Sequence, residues 1–148
     1  MSSENLDQLY GEIIMEHQRE PRCHGHLSPC DREEEGFNPL CGDKVVMTFR
    51  FDDAGKLIKE AAFEGQGCSI SMASASILME ELQGKTYDAA LAEIEKFREL
   101  MQGTRDAETM EGDVKALSGV KRFPVRIKCA LLAWMTAKRA IEGRKEGA

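Results

Sequence analysis

Lys44-Val45-Val46-Met47-Thr48-Phe49-Arg50-Phe51, followed by Asp52-Asp53-Ala54-Gly55 and then by Leu57 to Phe63, decides the fold. The first run is rich in β-branched and aromatic residues with partial alternation, which predicts a strand. The acidic, glycine-closed turn returns the chain as a second strand, so the pair reads as a hairpin. Gly65-Gln66-Gly67 then interrupts the strand pattern, and from Ser69 the period changes. Ile70, Met72, Ala73, Ala75, Ile77, Leu78, Met79 and Leu82 follow helical spacing with one face of small residues, ended at Gly84.

Upstream, Leu6, Leu9, Tyr10, Ile13, Ile14 and His17 predict an amphipathic helix over roughly residues 5–19, ended by Pro21. Residues 21–40 carry Pro21, Pro29, Pro39 and the run Glu33-Glu34-Glu35, and read as loop with one short strand near Leu27. Downstream, Leu91, Ile94, Phe97, Leu100 and Met101 predict a helix from Tyr87 to Met101, followed by a polar loop from Gly103 to Gly112. Val114 and Leu117 suggest a short helix closed by Gly119. Pro124 opens the last helix, with Ile127, Leu131, Leu132, Trp134, Met135 and Ile141 as its apolar stripe. Strands come early and helices late. The expected class is α+β, a small antiparallel three-stranded sheet packed by helices on one face. Residues 1–148 are expected to form a single domain, since the length is enough for one core and no repeat is visible.

A net charge of −6 argues against nucleic-acid binding, which rests on clustered Lys and Arg. No run approaches the length of apolar sequence needed to cross a bilayer. Met1-Ser2-Ser3-Glu4-Asn5 lacks the basic start of a signal peptide. Five cysteines is an odd number, unlike a complete disulfide framework, and the expected setting is cytoplasmic and reducing. Lys121, Arg122, Arg126, Lys128, Lys138 and Arg139 gather towards the C-terminus, as a solvated helix face or as a docking patch for an acidic partner. A monomer is expected, because neither a coiled coil nor an unexplained apolar face is visible.

Three dispersed cysteines carry the chemistry. Cys41 lies in Pro39-Leu40-Cys41-Gly42-Asp43, where Gly42 lets a thiolate and a carboxylate turn towards one point. By itself that is also the pattern of a buried cysteine beside a turn aspartate. Cys68 follows Gly65-Gln66-Gly67 at the expected helix N-terminus, where unpaired N–H groups and the helix dipole favour the thiolate. A small residue filling a strand–helix junction would read the same way. Cys129 falls early on the last helix, where a core cysteine is the plainer reading, and Arg126 and Lys128 are expected to lower its pKa. Together with Asp43 the three cysteines make a consistent set of four tetrahedral ligands. Cys23, His24, His26 and Cys30 form a competing cluster, but no second pair follows and His24 is too close to Cys23 for easy shared chelation. Exposed loop residues are the default there, and the eight methionines need no role beyond packing.

Asn38-Pro39-Leu40-Cys41-Gly42-Asp43, Phe63-Glu64-Gly65-Gln66-Gly67-Cys68-Ser69-Ile70-Ser71-Met72-Ala73-Ser74-Ala75-Ser76 and Phe123-Pro124-Val125-Arg126-Ile127-Lys128-Cys129-Ala130 occur in that order. In this the chain resembles the IscU-like family of iron–sulfur cluster assembly proteins over nearly its whole length. The scaffold branch carries a histidine before the third cysteine, where this sequence has Lys128. The spacing between Cys68 and Cys129 is also longer than in that branch, with the extra length placed at Gly103 to Gly112. Both departures match the SufU branch. The resemblance implies zinc held by Cys41, Asp43, Cys68 and Cys129. It further implies sulfur transfer from a SufS-type cysteine desulfurase, with Cys41 as acceptor and SUF scaffold proteins as candidate later partners. Two other readings stay open at this point. One is a scaffold that builds a [2Fe–2S] cluster on the same residues. The other is a structural zinc domain without sulfur chemistry.

Overall fold

The computed structural model describes residues 3–147, with side chains described for 8–143. The expected absence of a signal peptide falls partly on Met1 and Ser2, and the Leu6 side chain belongs to the apolar stripe; all three lie outside what is described. Helix α1 spans Ser3–Arg19, and strands β1, β2 and β3 span Arg32–Asn38, Asp43–Asp52 and Leu57–Gln66. Helices α2, α3 and α4 span Ser69–Leu82, Tyr87–Gln102 and Pro124–Gly147. A 3₁₀ turn, Ala107–Thr109, and a 3₁₀ helix, Gly112–Arg122, join α3 to α4.

The predicted hairpin is β2–β3, antiparallel with Met47 opposite Phe63, and its register slips at Arg50/Phe51. The third strand is not near Leu27. It is β1, which pairs antiparallel with β2 from Arg32↔Phe49 to Asn38↔Asp43 and gives the sheet the order β1-β2-β3. The stretch near Leu27 instead crosses the sheet's other face, where the Leu27 N–H donates to Thr48 Oγ1 at 3.0 Å. Residues 23–25 cover the free edge of β3: Phe63 N–H donates to Cys23 O at 3.0 Å and Gly25 N–H to Phe63 O at 2.8 Å. An edge covered in this way cannot template pairing with another chain.

Helices α2 and α4 pack on the sheet's inner face, α1 lies on α2, and α3 lies on α4. Val45, Met47, Phe49, Ala61 and Phe63 of the sheet meet Ile77, Leu78, Phe97, Leu100, Trp134 and Ile141 in one core. Phe97 and Trp134 stack with centroids 4.0 Å apart. The indole N–H is not left unpaired in that apolar setting, because it donates to Ser74 Oγ at 2.9 Å. The expected loop after α3 contains the 3₁₀ turn. The expected short helix is longer and tighter than read, running through Gly119 to Arg122. Its buried residues Val114, Leu117 and Val120 recur every third position, the period of a 3₁₀ helix. It delivers the chain to Phe123 and the first turn of α4, and so sets where Cys129 begins.

Candidate metal centre

The sheet's end and the starts of α2 and α4 converge on the predicted residues. Asp43 opens β2 and is fully buried. Cys129 is fully buried on α4, Cys41 is half-buried in the β1–β2 connection, and Cys68 is half-buried at the start of α2. Cys41, Asp43 and Cys129 bring their ligand atoms within 4.8 Å of one another. Cys68 stands outside that tightest triple but is tied to it, since its backbone N–H donates to Asp43 Oδ1 at 2.9 Å.

Local sequence explains each placement. Gly42 adopts φ +71° with open space around it, a left-handed conformation that turns the chain sharply between Cys41 and Asp43. At Gly67 close approach decides: a Cβ there would stand 2.4 Å from Asp43 Oδ1 and 2.6 Å from Ser71 Oγ. The carboxylate therefore seats against bare backbone. Cys68 is the N-cap of α2, and its sulfur accepts from Ser71 N–H at 3.5 Å. Asn38, buried at the end of β1, directs its amide at Asp43 Oδ2 (3.4 Å) and towards Cys129 Sγ (3.7 Å).

The electrostatics divide the thiols. Burial works to raise the Cys68 pKa, but the hydrogen bond from the Ser71 N–H and the contacts with the Ser71 side chain and Cys129 outweigh it, leaving Cys68 below the ordinary thiol range. That agrees with the expected thiolate at a helix start. Cys129 behaves oppositely to expectation. Burial, followed by its contacts with Cys41, Asp43 and Cys68, pushes it far above the ordinary range, despite Arg126 and Lys128 nearby in sequence. Its S–H donates to Cys41 Sγ at 3.3 Å. The Arg126 guanidinium pKa is raised by the charge of Cys68 and by hydrogen bonds to Cys129 and Cys68.

The residues fit a zinc ion. Cys41, Asp43 and Cys129 bring two sulfurs and a carboxylate oxygen together, Cys68 is hydrogen-bonded to the same carboxylate, and thiol and carboxylate donors of this kind are zinc ligands. Among the described residues one other group brings three ligand atoms together, His17, Glu80 and Asp113. The competing loop cluster does not converge. Cys23 Sγ accepts from Gln83 Nε2, His24 lies edge-on to Phe63, and His26 pairs with Glu33.

Sequence reading missed Asn38 and Ser71 as supports, although both lie inside the quoted motifs. Asn38 shares the inward register of β1 with Gly36, and Ser71 sits three residues after Cys68, the N3 position that a cap addresses. The expectation of no unexplained apolar face is also corrected. Phe37, Leu40, Phe123 and Val125 are 63%, 69%, 58% and 63% exposed, at the end of β1, on the β1–β2 connection that carries Cys41, and around the start of α4, the helix that carries Cys129. They occupy element ends, where the local period ceases to predict which side faces inward.

Comparison with known proteins gives the family. Residues 9–143 match the NifU-like N terminal domain. The chain is 41% identical over 144 residues to the zinc-dependent sulfurtransferase SufU of Bacillus subtilis, covering 97% of this chain and 95% of that one. It is 38% identical over 143 residues to the iron–sulfur cluster assembly scaffold protein IscU of Streptococcus pyogenes, covering 96% and 88%. The solved structure of a SufU protein from Fervidobacterium islandicum, described as an iron–sulfur cluster assembly scaffold for the SUF system, superposes with a TM-score of 0.83. That pair is 36% identical and covers 95% of this chain and 99% of the other. With its three-stranded α+β fold and its thiol–carboxylate centre, the chain belongs to the family of the NifU-like N-terminal domain.

Proposed function

We propose that this protein is a zinc-dependent sulfurtransferase that accepts persulfide sulfur from a SufS-type cysteine desulfurase for iron–sulfur cluster assembly. Cys41, Asp43, Cys68 and Cys129 hold the zinc, and Cys41 is the acceptor. Bound zinc supplies redox-inert positive charge that keeps its thiol ligands deprotonated.

The observation that carries this reading is the uneven support of the four ligands. Asp43 is gripped by the Cys68 N–H and the Asn38 amide, Cys68 by the Ser71 N–H, and Cys129 by burial in α4. Among the described residues Cys41 has only the Cys129 thiol, sits half-exposed beside the exposed Leu40, and is followed by a glycine with free space around it. Three groups are anchors and one can leave. A thiolate that can reach a partner's persulfide meets the requirement for exchange, whose rate follows thiolate fraction and access. Phe37, Leu40, Phe123 and Val125 offer the partner an apolar rim beside Cys41.

The scaffold reading draws support from the IscU name of the streptococcal relative and from thiolate ligands that suit iron–sulfur clusters equally. Lys128, where the scaffold branch has histidine, weighs against it. No helix among the described residues is long and apolar enough to cross a membrane.

Metal analysis together with a desulfurase assay decides between the readings. One zinc per chain and strong stimulation, abolished by Cys41→Ala, is the expected result. Undiminished stimulation by that variant would end the proposal. Stoichiometric anaerobic formation of a [2Fe–2S] cluster and its delivery to an apo-ferredoxin would favour the scaffold.

A further inference from the structure

The five cysteines are all free, but their sulfurs meet different things. Cys23 Sγ accepts from Gln83 Nε2 at 3.5 Å. Cys68 Sγ caps α2 by accepting from Ser71 N–H at 3.5 Å, and it stays outside the group whose ligand atoms lie within 4.8 Å of one another. Cys41 and Cys129 are both inside that group, and their sulfurs lie 3.3 Å apart although 88 residues separate them in the chain. A disulfide bond is about 2.0 Å long, so about 1.3 Å of approach separates this contact from a covalent one.

The two ends of the contact are built unequally. Cys129 is fully buried on α4, next to the core residue Ala130, and holds its place. Cys41 is half-buried in the β1–β2 connection, between the exposed Leu40 and Gly42, which has open space around it. Asn38 keeps that connection turned to α4: its Oδ1 accepts from Leu40 N–H at 3.3 Å, and its Nδ2 lies 3.7 Å from Cys129 Sγ. Cys41 can therefore close on Cys129 without moving the core. A dissolved reagent meets Cys41 first, and Cys129 reacts only through it.

We propose that Cys41 and Cys129 are a peroxide-sensitive dithiol, which closes to a reversible disulfide and so dismantles the metal centre. The substrate class is a hydroperoxide. The Cys41 thiolate attacks the terminal oxygen, the O–O bond breaks, and the leaving alkoxide or hydroxide takes a proton from water, leaving Cys41 as a sulfenic acid. Cys129 Sγ then attacks Cys41 Sγ. The S–S bond forms as the S–O bond breaks, and the proton of Cys129 leaves with the hydroxide as water. Two thiols lose two electrons in all, and one peroxide bond is reduced. Capture by a sulfur already in contact protects the sulfenic acid from further, irreversible oxidation, and an added thiol reopens the bond by exchange. The disulfide removes two of the four proposed zinc ligands. Closure needs only the two sulfurs; if Cys41 is also the sulfur acceptor, the same bond halts acceptance.

The test treats the full-length zinc-loaded protein with hydrogen peroxide, blocks the remaining thiols, and maps cross-linked peptides by mass spectrometry while a chromophoric chelator records released zinc. The expected product is one peptide pair joining Cys41 to Cys129, formed in step with zinc release, with dithiothreitol restoring both thiols. The pair should form at least about tenfold faster than in the same chain unfolded in urea, because the fold supplies the proximity. In Cys129→Ser, Cys41 should instead be trapped by dimedone and then pass to the sulfinic acid; if that variant does not fold, the wild-type map decides without it. A map dominated by Cys41 joined to Cys68, by any other pair, or by Cys41 sulfinic acid without a disulfide overturns the proposal. Equal rates in the folded and unfolded chain overturn it as well.

Discussion

Among the described residues two groups of potential metal ligands converge, and they are built on opposite principles. At the junction of α1, α2 and the 3₁₀ helix, His17 is fully buried with Nδ1 2.6 Å from Ser76 Oγ and Nε2 2.7 Å from Asp113 Oδ2. An ionised Asp113 can only accept, so in the neutral ring Nε2 carries the proton and the Ser76 hydroxyl donates to Nδ1. Glu80 Oε1 is 3.5 Å from His17 Nε2 but 3.2 Å from Arg22 Nε, and Arg22 N–H donates to Ser76 Oγ at 2.7 Å. Every donor there has an acceptor. At the thiol site, sulfur faces sulfur, and Asp43 receives one good hydrogen bond and one long one. The first cluster is a finished polar clamp; the second is the proposed ligand set. Convergence of ligand atoms alone does not make a metal site. Unmet electrostatic demand does.

The largest effect should come from breaking the second site. Asp43→Ala is expected to weaken zinc binding by more than about a hundredfold, since loss of a mere outer support already costs ten- to a hundredfold. Competition with a chromophoric chelator measures it. His17→Ala should leave zinc at one per chain. A variant at His17 that lost stoichiometric metal would erase the distinction between the two sites.

His17→Ala should act on stability instead. It strips a buried partner from Ser76 and Asp113 and opens a void between α1 and α2, and should cost about 2–3 kcal/mol. Urea unfolding reads the loss, and hydrogen exchange should place it in α1 and the 3₁₀ helix.

The response to pH sharpens the contrast further. Burial and neighbouring acids hold the Cys129 thiol protonated through neutral pH in the metal-free protein, and zinc binding must expel that proton. Affinity should therefore rise with pH, by about tenfold per unit for each proton released. Calorimetry in buffers of different ionisation heat counts the protons. A pH-independent affinity between 6 and 8 would contradict the protonated resting state.

How much of this the sequence disclosed depended on period and on partner. The β2–β3 hairpin and the four α-helices were legible because their apolar residues repeat at strand or helix spacing. Strand β1 was hidden because Arg32-Glu33-Glu34-Glu35-Gly36 looks like solvated loop. It is a strand because distant residues make it one. Arg139 Nε reaches Glu34 Oε2 at 4.0 Å and Arg139 donates to Glu35 O at 2.9 Å, and α4 lies so close that a Cβ on Gly36 would meet Thr136 Oγ1 at 2.0 Å. The 3₁₀ helix was half-seen, since Val114 and Leu117 are separated by three and fit either helix type. At the site, ligand types were readable from cysteine and aspartate placement. The inverted pKa order of Cys68 and Cys129 was not, because it depends on how deeply α4 buries one sulfur and how the α2 cap serves the other. His17 was read as part of an apolar stripe. Its depth was right, but its role as a polar clamp needs Asp113, 96 residues away.

The smallest expected effect tests how finely the ligand set is tuned. The Ser71 hydroxyl donates to Cys68 O at 3.1 Å and lies 3.8 Å from Cys68 Sγ, whereas the Ser71 backbone N–H reaches that sulfur at 3.5 Å. Ser71→Ala removes the hydroxyl and keeps the N–H, so Cys68 should lose only part of what holds it below the ordinary thiol range. Zinc affinity should drop about threefold, within the range of a weak net hydrogen bond. The alkylation pKa of Cys68 in the metal-free protein should rise in step. Cys68 acts as an anchor through its place at the helix start, so stimulation at saturating zinc should stay near wild type. A collapse of activity with zinc still bound would mean that Cys68 itself takes part in passing sulfur, and the division into three anchors and one leaving ligand would have to be redrawn.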